Sequence, residues 1–262
     1  MNNRKNQILR YLYTFRFLTR IHIQKLLNHK HQNRITIWLN ELSQNTYIRR
    51  YHNPKTVTIP AIYSLGLKAR KYIKNNPELN DINTSQLDRI WRERSLSVQF
   101  RTHCLFIADI YISLLKLVET TGAQVHFYTK TQLKGMNYML LPNPDVYFSI
   151  EEKDGNVKRY FLDIFDDLPA RMMLRKRVRQ YIHYYEERYW QDHTKKPFPY
   201  IIYICPDDRS KNYLHDFIQK TLADQPELIF YITTRDLIKT NGFNKNALQK
   251  VEAVDKLSFP TA

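Results

Sequence analysis

Two aspartates stand where chemistry could be done. Residues 140–167 read "LLPNPDVYFSIEEKDGNVKRYFLDIFDD", two apolar strands joined by a polar turn. Asp145 follows Pro144 at the start of the first strand, and Asp163 lies inside "FLDIF" of the second. Carboxylates so placed are the oxygen ligands a hydrated divalent cation takes. Such an ion could activate water and offset charge on a phosphodiester. The same pair also suits a plain hairpin whose charged ends meet a neighbouring basic helix. The choice turns on the elements that must position them.

Ahead of the hairpin runs an amphipathic helical region from Leu87 to about Val118. The segments "AQVHFYTKTQL", "NPDVYFSIE" and "KRYFLDIF" alternate as strands do. A charged helix, "LPARMMLRKRVRQYIHYYEERYWQ", follows, with Ile182, Tyr185, Tyr189 and Trp190 at core spacing. After it come an apolar strand "FPYIIYICP", a helix "SKNYLHDFIQKTLADQ" and a strand and turn "ELIFYITTRDLI". This order predicts an α/β sandwich with a mixed sheet over 87–262. The basic run "RMMLRKRVRQ" is a patch for DNA or a partner protomer.

Charge divides the chain unevenly. Residues 1–75 hold fifteen Lys and Arg against one acid, Glu41, and the remainder is close to neutral at +2 of the total +16. So lopsided a block is an electrostatic footprint for a polyanion. No apolar run is long enough to span a bilayer; 105–118 contains Asp109 and reads as a buried helix. Cys104 and Cys205 have neither disulfide nor metal-ligand spacing, which predicts a reducing, cytoplasmic setting.

Within the basic block, Ile8, Leu9, Leu12, Phe15 and Leu18 have helical spacing. Thr19 caps a second helix with Ile23, Leu26 and Leu27 inward. In a third helix Ile35, Trp38, Leu39 and Leu42 face inward, leaving Arg34, Thr36, Ile37 and Asn40 outside. His29 and His31 between them read as solvated loop residues. Tyr47–Tyr51 and Thr56–Tyr63 read as strands around an Asn53-Pro54-Lys55 turn, and Gly66 opens another helix. Three helices and a basic hairpin predict a winged helix-turn-helix over 1–75, followed by a linker at 76–86. In that arrangement the third helix enters the major groove. Arg20, Arg34, Thr36, Asn40, Arg49, Arg50 and Lys55 are the candidate contacts to double-stranded DNA, the last three to phosphates.

The order of motifs resembles the replication-relaxation family of plasmid and mobile-element proteins. The carrying residues are "IYSLGLKARKYI" (Ile62–Ile73), "RTHCLFIADIYISLL" with His103 and Asp109, Pro144-Asp145, "YFLDIFDD", "RKRVRQYIHYY" and "FPYIIYICP". They span roughly 5–238. The glycine of the first motif arrives early. The resemblance implies work in replication, DNA relaxation or transcriptional control of such an element. A homodimer and a replication or partition partner protein are expected with it.

The second half also resembles the PD-(D/E)xK nuclease core, a restriction-endonuclease-like fold. There Asp145 and Asp163 would be the metal acids and Glu93 a third. The lysine position, two residues after Asp163, is Phe165. Lys176 could substitute, with Arg175 and Arg177 clamping phosphate. His103 either faces Asp163 or is a satisfied buried histidine. With the lysine missing, the expectation is a domain without catalysis and no cofactor. The competing expectation is a Mg²⁺-dependent endonuclease or nicking protein using Asp145, Asp163 and Lys176, and a third is a structural adaptor.

Overall fold

Asn2 starts the first helix, its side chain accepting from the Lys5 amide, and α1 (Asn3–Phe15) buries Ile8, Leu9, Leu12 and Phe15. The computed structural model describes residues 2–52, 59–92, 97–167, 170–222 and 227–253. It divides into two units, 1–112 with 131–135, and 113–130 with 136–262.

In the first unit, α1 stops at Arg16, whose φ of 71° ends the helical path. Leu18, expected to extend the helix, therefore lies in a short strand, β1 (Leu18–Thr19). Thr19 caps α2 (Arg20–Leu26) in a reciprocal capping box whose third residue is His22. The Thr19 amide donates to His22 Nδ1 at 3.2 Å, and His22 Nε2 bonds Asp109 Oδ1 at 2.9 Å. A turn with Asn28 at φ 46° leads to α3 (Gln32–Gln44). Its buried residues are Ile35, Trp38, Leu39 and Leu42, as the spacing predicts.

β2 (Ile48–Tyr51) and β3 (Ile62–Leu65) pair antiparallel, and β1 joins the far side of β3. The strand expected over Thr56–Tyr63 is seen as β3 from Ile62; its first three residues lie outside the described residues and 59–61 are not strand. Pro60, which has no N–H for a ladder, precedes β3, and the Asn53-Pro54-Lys55 turn lies outside the described residues. Gly66 then donates to Tyr47 O at 2.8 Å and opens α4 (Leu67–Lys74). The stretch expected as a linker, 76–86, belongs to this unit instead. Asn76 caps a 3₁₀ turn at Pro77–Leu79, Leu79 and Ile82 are buried, and α5 (Thr84–Arg92) starts within it. Polar composition hid these two apolar anchors. α6 (Val98–Thr121) runs past the division, which falls after Ile112.

The second unit holds a six-stranded mixed sheet. It comprises β4 (Gln124–Thr129), β5 (Val146–Glu151) and β6 (Val157–Ile164); α7 (Lys130–Leu133), between β4 and β5 in sequence, has its last three residues in the first unit. α8 (Arg171–Glu186) and α9 (Tyr189–Thr194) lead to β7 (Tyr200–Cys205). α10 (Asp208–Leu222), β8 (Phe230–Thr234), α11 (Arg235–Asn241) and β9 (Gln249–Lys250) complete it. Strands β4–β5–β6 are antiparallel, β6–β7–β8 parallel, and β8–β9 antiparallel. The mixed sheet was expected; the edge strand β9 was not. Arg188, in the left-handed region at φ 58°, splits the single expected helix into α8 and α9 and resets its phase. Within α8 the buried stripe runs through Leu174, Val178, Tyr181 and Tyr184 rather than the expected Ile182 and Tyr185, and past the break Trp190 is buried while Tyr189 is exposed.

Side chains alternate along β6, so Phe161 and Asp163 share the face covered by α8. Phe161 meets Tyr181 and Trp190 at ring distances of 5.7 and 5.3 Å. On the opposite face Tyr160 stacks on Phe148 at 4.7 Å.

Gly66 provides a sharp test of the hairpin-to-helix junction. A Cβ there would stand 2.5 Å from Thr46 O and 2.9 Å from Ile48 N, both backbone atoms. Gly66→Ala is expected to destabilise the protein by about 1–3 kcal/mol, the usual range for overpacking. Gly135→Ala, whose nearest atoms would be 3.6 Å away, should change stability by about 0.5 kcal/mol or less. Urea denaturation of the two variants beside wild type checks the contrast.

Candidate functional site

The first unit sorts its positive charges into paired and unpaired sets. Lys5 pairs with Glu41, Arg10 with Asp81, and Arg70 and Lys74 with Asp88 at 2.5 and 2.9 Å. The two contacts to Asp88 pull its carboxyl below the ordinary range. Arg34, Arg49 and Arg50 are exposed and have no carboxylate partner among the described residues. The Arg34 guanidinium lies over the Trp38 ring at 6.0 Å, and Arg49 lies over Tyr51 at 5.9 Å. Helical geometry places Arg34, Thr36, Ile37 and Asn40 on the outward side of α3, because the four residues that build its inward stripe are all buried. Thr36 spends its hydroxyl on Gln32 O at 3.2 Å. Arg20, the first residue of α2, is half-buried and donates to Gln24 Oε1 at 3.4 Å. Lys55 lies outside the described residues.

The second unit brings Asp145 and Asp163 to the same end of the β5–β6 pair, one register step beyond Val146 and Leu162. Their bonds differ from those of a metal site. Asp163 is buried and accepts from Arg177 twice, Nε to Oδ2 at 2.7 Å and Nη2 to Oδ1 at 3.0 Å. The Tyr181 hydroxyl donates to Oδ2 at 2.8 Å. Arg177 Nη1 continues to Pro142 O at 2.8 Å and to Gln180 Oε1 at 3.3 Å. Burial opposes the guanidinium charge, but the Tyr181 oxygen and the Asp163 carboxylate outweigh it and raise the Arg177 pKa. Burial likewise pushes the Tyr181 and Tyr203 hydroxyls well above their usual range. Asp145 accepts from Lys130 Nζ at 3.2 Å and from the Ile164 amide at 3.0 Å.

The donor set therefore does not fit a shared divalent ion, since each carboxylate is already satisfied by a cation and further donors. Among the described residues, no group of three His, Cys, Asp or Glu could hold a metal. Lys176, the candidate substitute lysine, is exposed on α8, one position from the buried Arg177. Phe165 stands one residue past β6 rather than mid-strand; it is half-buried and stacks on Tyr203 at 5.7 Å. Glu93 lies outside the described residues, and His103 belongs to the first unit whereas Asp163 belongs to the second. His103 is buried and stacks on Phe100.

Sequence reasoning missed the role of Arg177, taken as a phosphate clamp, and missed Lys130 and Tyr181. A signal was present: Arg177 lies three residues after Leu174 and four before Tyr181, inside the apolar stripe of α8.

Arg177→Met is expected to cost about 3–5 kcal/mol, because it leaves the Asp163 charge buried alone. Lys176→Met should cost about 0.5 kcal/mol or less. Chemical denaturation separates the two, and equal small losses would remove the ion pair from the account of stability. Cys205 is fully buried and its thiol is pushed up to about 12. It should resist alkylation at neutral pH until the protein is unfolded, as mass spectrometry of labelled protein can show.

No helix among the described residues is long and apolar enough to cross a membrane. No curated protein and no solved structure matches the chain. The family model described as replication-relaxation matches residues 9–199, from within α1 to the residue before β7. The match covers most of the chain and takes in both the α3 face and the Asp163–Arg177 pair, so this protein belongs to the replication-relaxation family.

Proposed function

We propose that this protein binds duplex DNA through its first unit, in a replication-related role on a plasmid or other mobile element. In this reading α1, α2 and α3 with the β2–β3 hairpin form a winged helix-turn-helix. α3 enters the major groove, and Arg49 and Arg50 on β2 rest against phosphates. The observation that carries the reading is the sorting of charge. The first unit holds +14 of the total +16. The bases left without carboxylate partners among the described residues include Arg34, at the start of α3, and the adjacent pair on β2. Membership of a replication-relaxation family supports work at DNA. The second unit, nuclease-like in the order of its elements, is then a non-catalytic scaffold, because its two acids are held by Arg177 and Lys130.

The test is binding of a fluorescent duplex by the full chain across a salt series. Each phosphate neutralised contributes about −0.9 to the slope of log K against log salt, so Arg49→Ala with Arg50→Ala should flatten it by about 1.8. Against a duplex selected from a random library, Arg34→Ala should lose about 1–3 kcal/mol of discrimination if it meets a base edge. A wild-type slope near zero would sink the proposal.

A further inference from the structure

We infer that the exposed face of α8 is a second phosphate-binding surface, which seats the backbone of duplex DNA against the second unit. This inference does not depend on the first unit reading DNA. The second unit as a whole is nearly neutral, with 21 bases and 19 acids. Yet α8 exposes Arg171, Arg175, Lys176 and Arg179 and has no acid before Glu186. None of the four has a carboxylate partner among the described residues, whereas Arg177, on the inner side, is fully neutralised by Asp163.

Two of these cations are held in place by rings. Arg171 lies over Tyr213 at 4.7 Å and Arg179 over Phe217 at 5.7 Å, both rings from α10. Stacking leaves the in-plane N–H donors of a guanidinium available for phosphate oxygens and reduces the freedom lost on binding. Along α8 lies an open, shallow depression lined by Met172, Arg175, Lys176, Arg179, Gln180 and His183. Arg175 and Arg179 are one turn apart, about 6 Å of helix rise. That separation is of the order of the distance between neighbouring phosphates on one DNA strand, so the two cations can meet adjacent phosphates. The lining sets Arg175, Lys176, Arg179 and the His183 ring beside the Gln180 amide and the Met172 thioether. Four outward cations on one helix, none paired to a carboxylate among the described residues, match the repeated phosphates of a duplex backbone.

The test uses the full chain and a fluorescent duplex of about three helical turns, without a chosen sequence. Arg175→Gln, Lys176→Gln and Arg179→Gln are combined, and an unchanged melting temperature confirms the fold. If the face contacts three phosphates, the slope of log K against log salt flattens by about 2.7. A second readout attaches a photocrosslinker at Lys176→Cys, which labels selectively because Cys104 and Cys205 are both buried. The expected result is crosslinking to duplex and a flattened slope. An unchanged slope with no crosslink overturns the inference, as would an acidic protein captured there in place of DNA. If the triple variant loses binding while Arg49→Ala with Arg50→Ala does not, this inference stands and the first-unit reading falls. A wild-type protein with no salt-dependent binding overturns both.

Discussion

A carboxylate buried on the inner face of a sheet must have its charge answered nearby, and in this protein the answer fixes how α8 lies on β6. Removing an ion pair from water costs several kcal/mol per ion unless geometry and further hydrogen bonds compensate. Asp163 and Arg177 meet that demand with two parallel bonds, and Tyr181 and Pro142 O take up the next donors and acceptors. Once Arg177 points inward, the helical period sends Leu174, Val178, Tyr181 and Tyr184 inward with it. It sends Arg171, Arg175, Lys176 and Arg179 outward. The bond to Pro142 also ties the loop before β5, and hence Asp145, to the same helix. One buried pair thus sets the scaffold and decides which cations face solvent.

The first unit uses charge differently. Its carboxylates are few, and each that pairs removes a base from the supply available to a partner. Exposed ion pairs contribute little to stability. Their effect is to distribute charge: Lys5, Arg10, Arg70 and Lys74 are answered within the unit, while Arg34, Arg49 and Arg50 have no carboxylate partner among the described residues. The His22–Asp109 bond adds a tie between α2 and α6, anchoring the helix just before α3.

Local pattern was legible where local physics dominates. The period of α3 identified its four buried residues, Thr19 was recognisable as a cap, and alternation announced β5 and β6. Errors came where a backbone reversal or a distant partner decided the outcome. Arg16 and Arg188 adopt positive φ without being glycine, so nothing in their type announced the breaks that put Leu18 into β1 and Tyr189 into solvent. The stretch 76–86 is polar in composition, yet Leu79 and Ile82 anchor it. Asp163 answers to a residue fourteen positions away and Asp145 to one fifteen away, separations that motif spacing does not encode.

The catalytic question also turns on those distant partners more than on the missing lysine. Phe165 says only that one group of a nuclease pattern is absent, and another base could in principle have been supplied from α8. Arg177 is a stronger obstacle. Its guanidinium cannot be deprotonated in a protein, and it engages both oxygens of Asp163. A divalent ion competing for that carboxylate would have to displace the guanidinium and leave it buried without its counter-charge. Breaking such a pair costs about 3–5 kcal/mol. Mg²⁺ gives up its own waters reluctantly, which adds to that cost. Lys130 on Asp145 opposes an ion at the second carboxylate in the same sense, though its partly exposed side chain could yield more easily. The arrangement therefore favours a sheet held shut by its own cations over one opened to hold a metal.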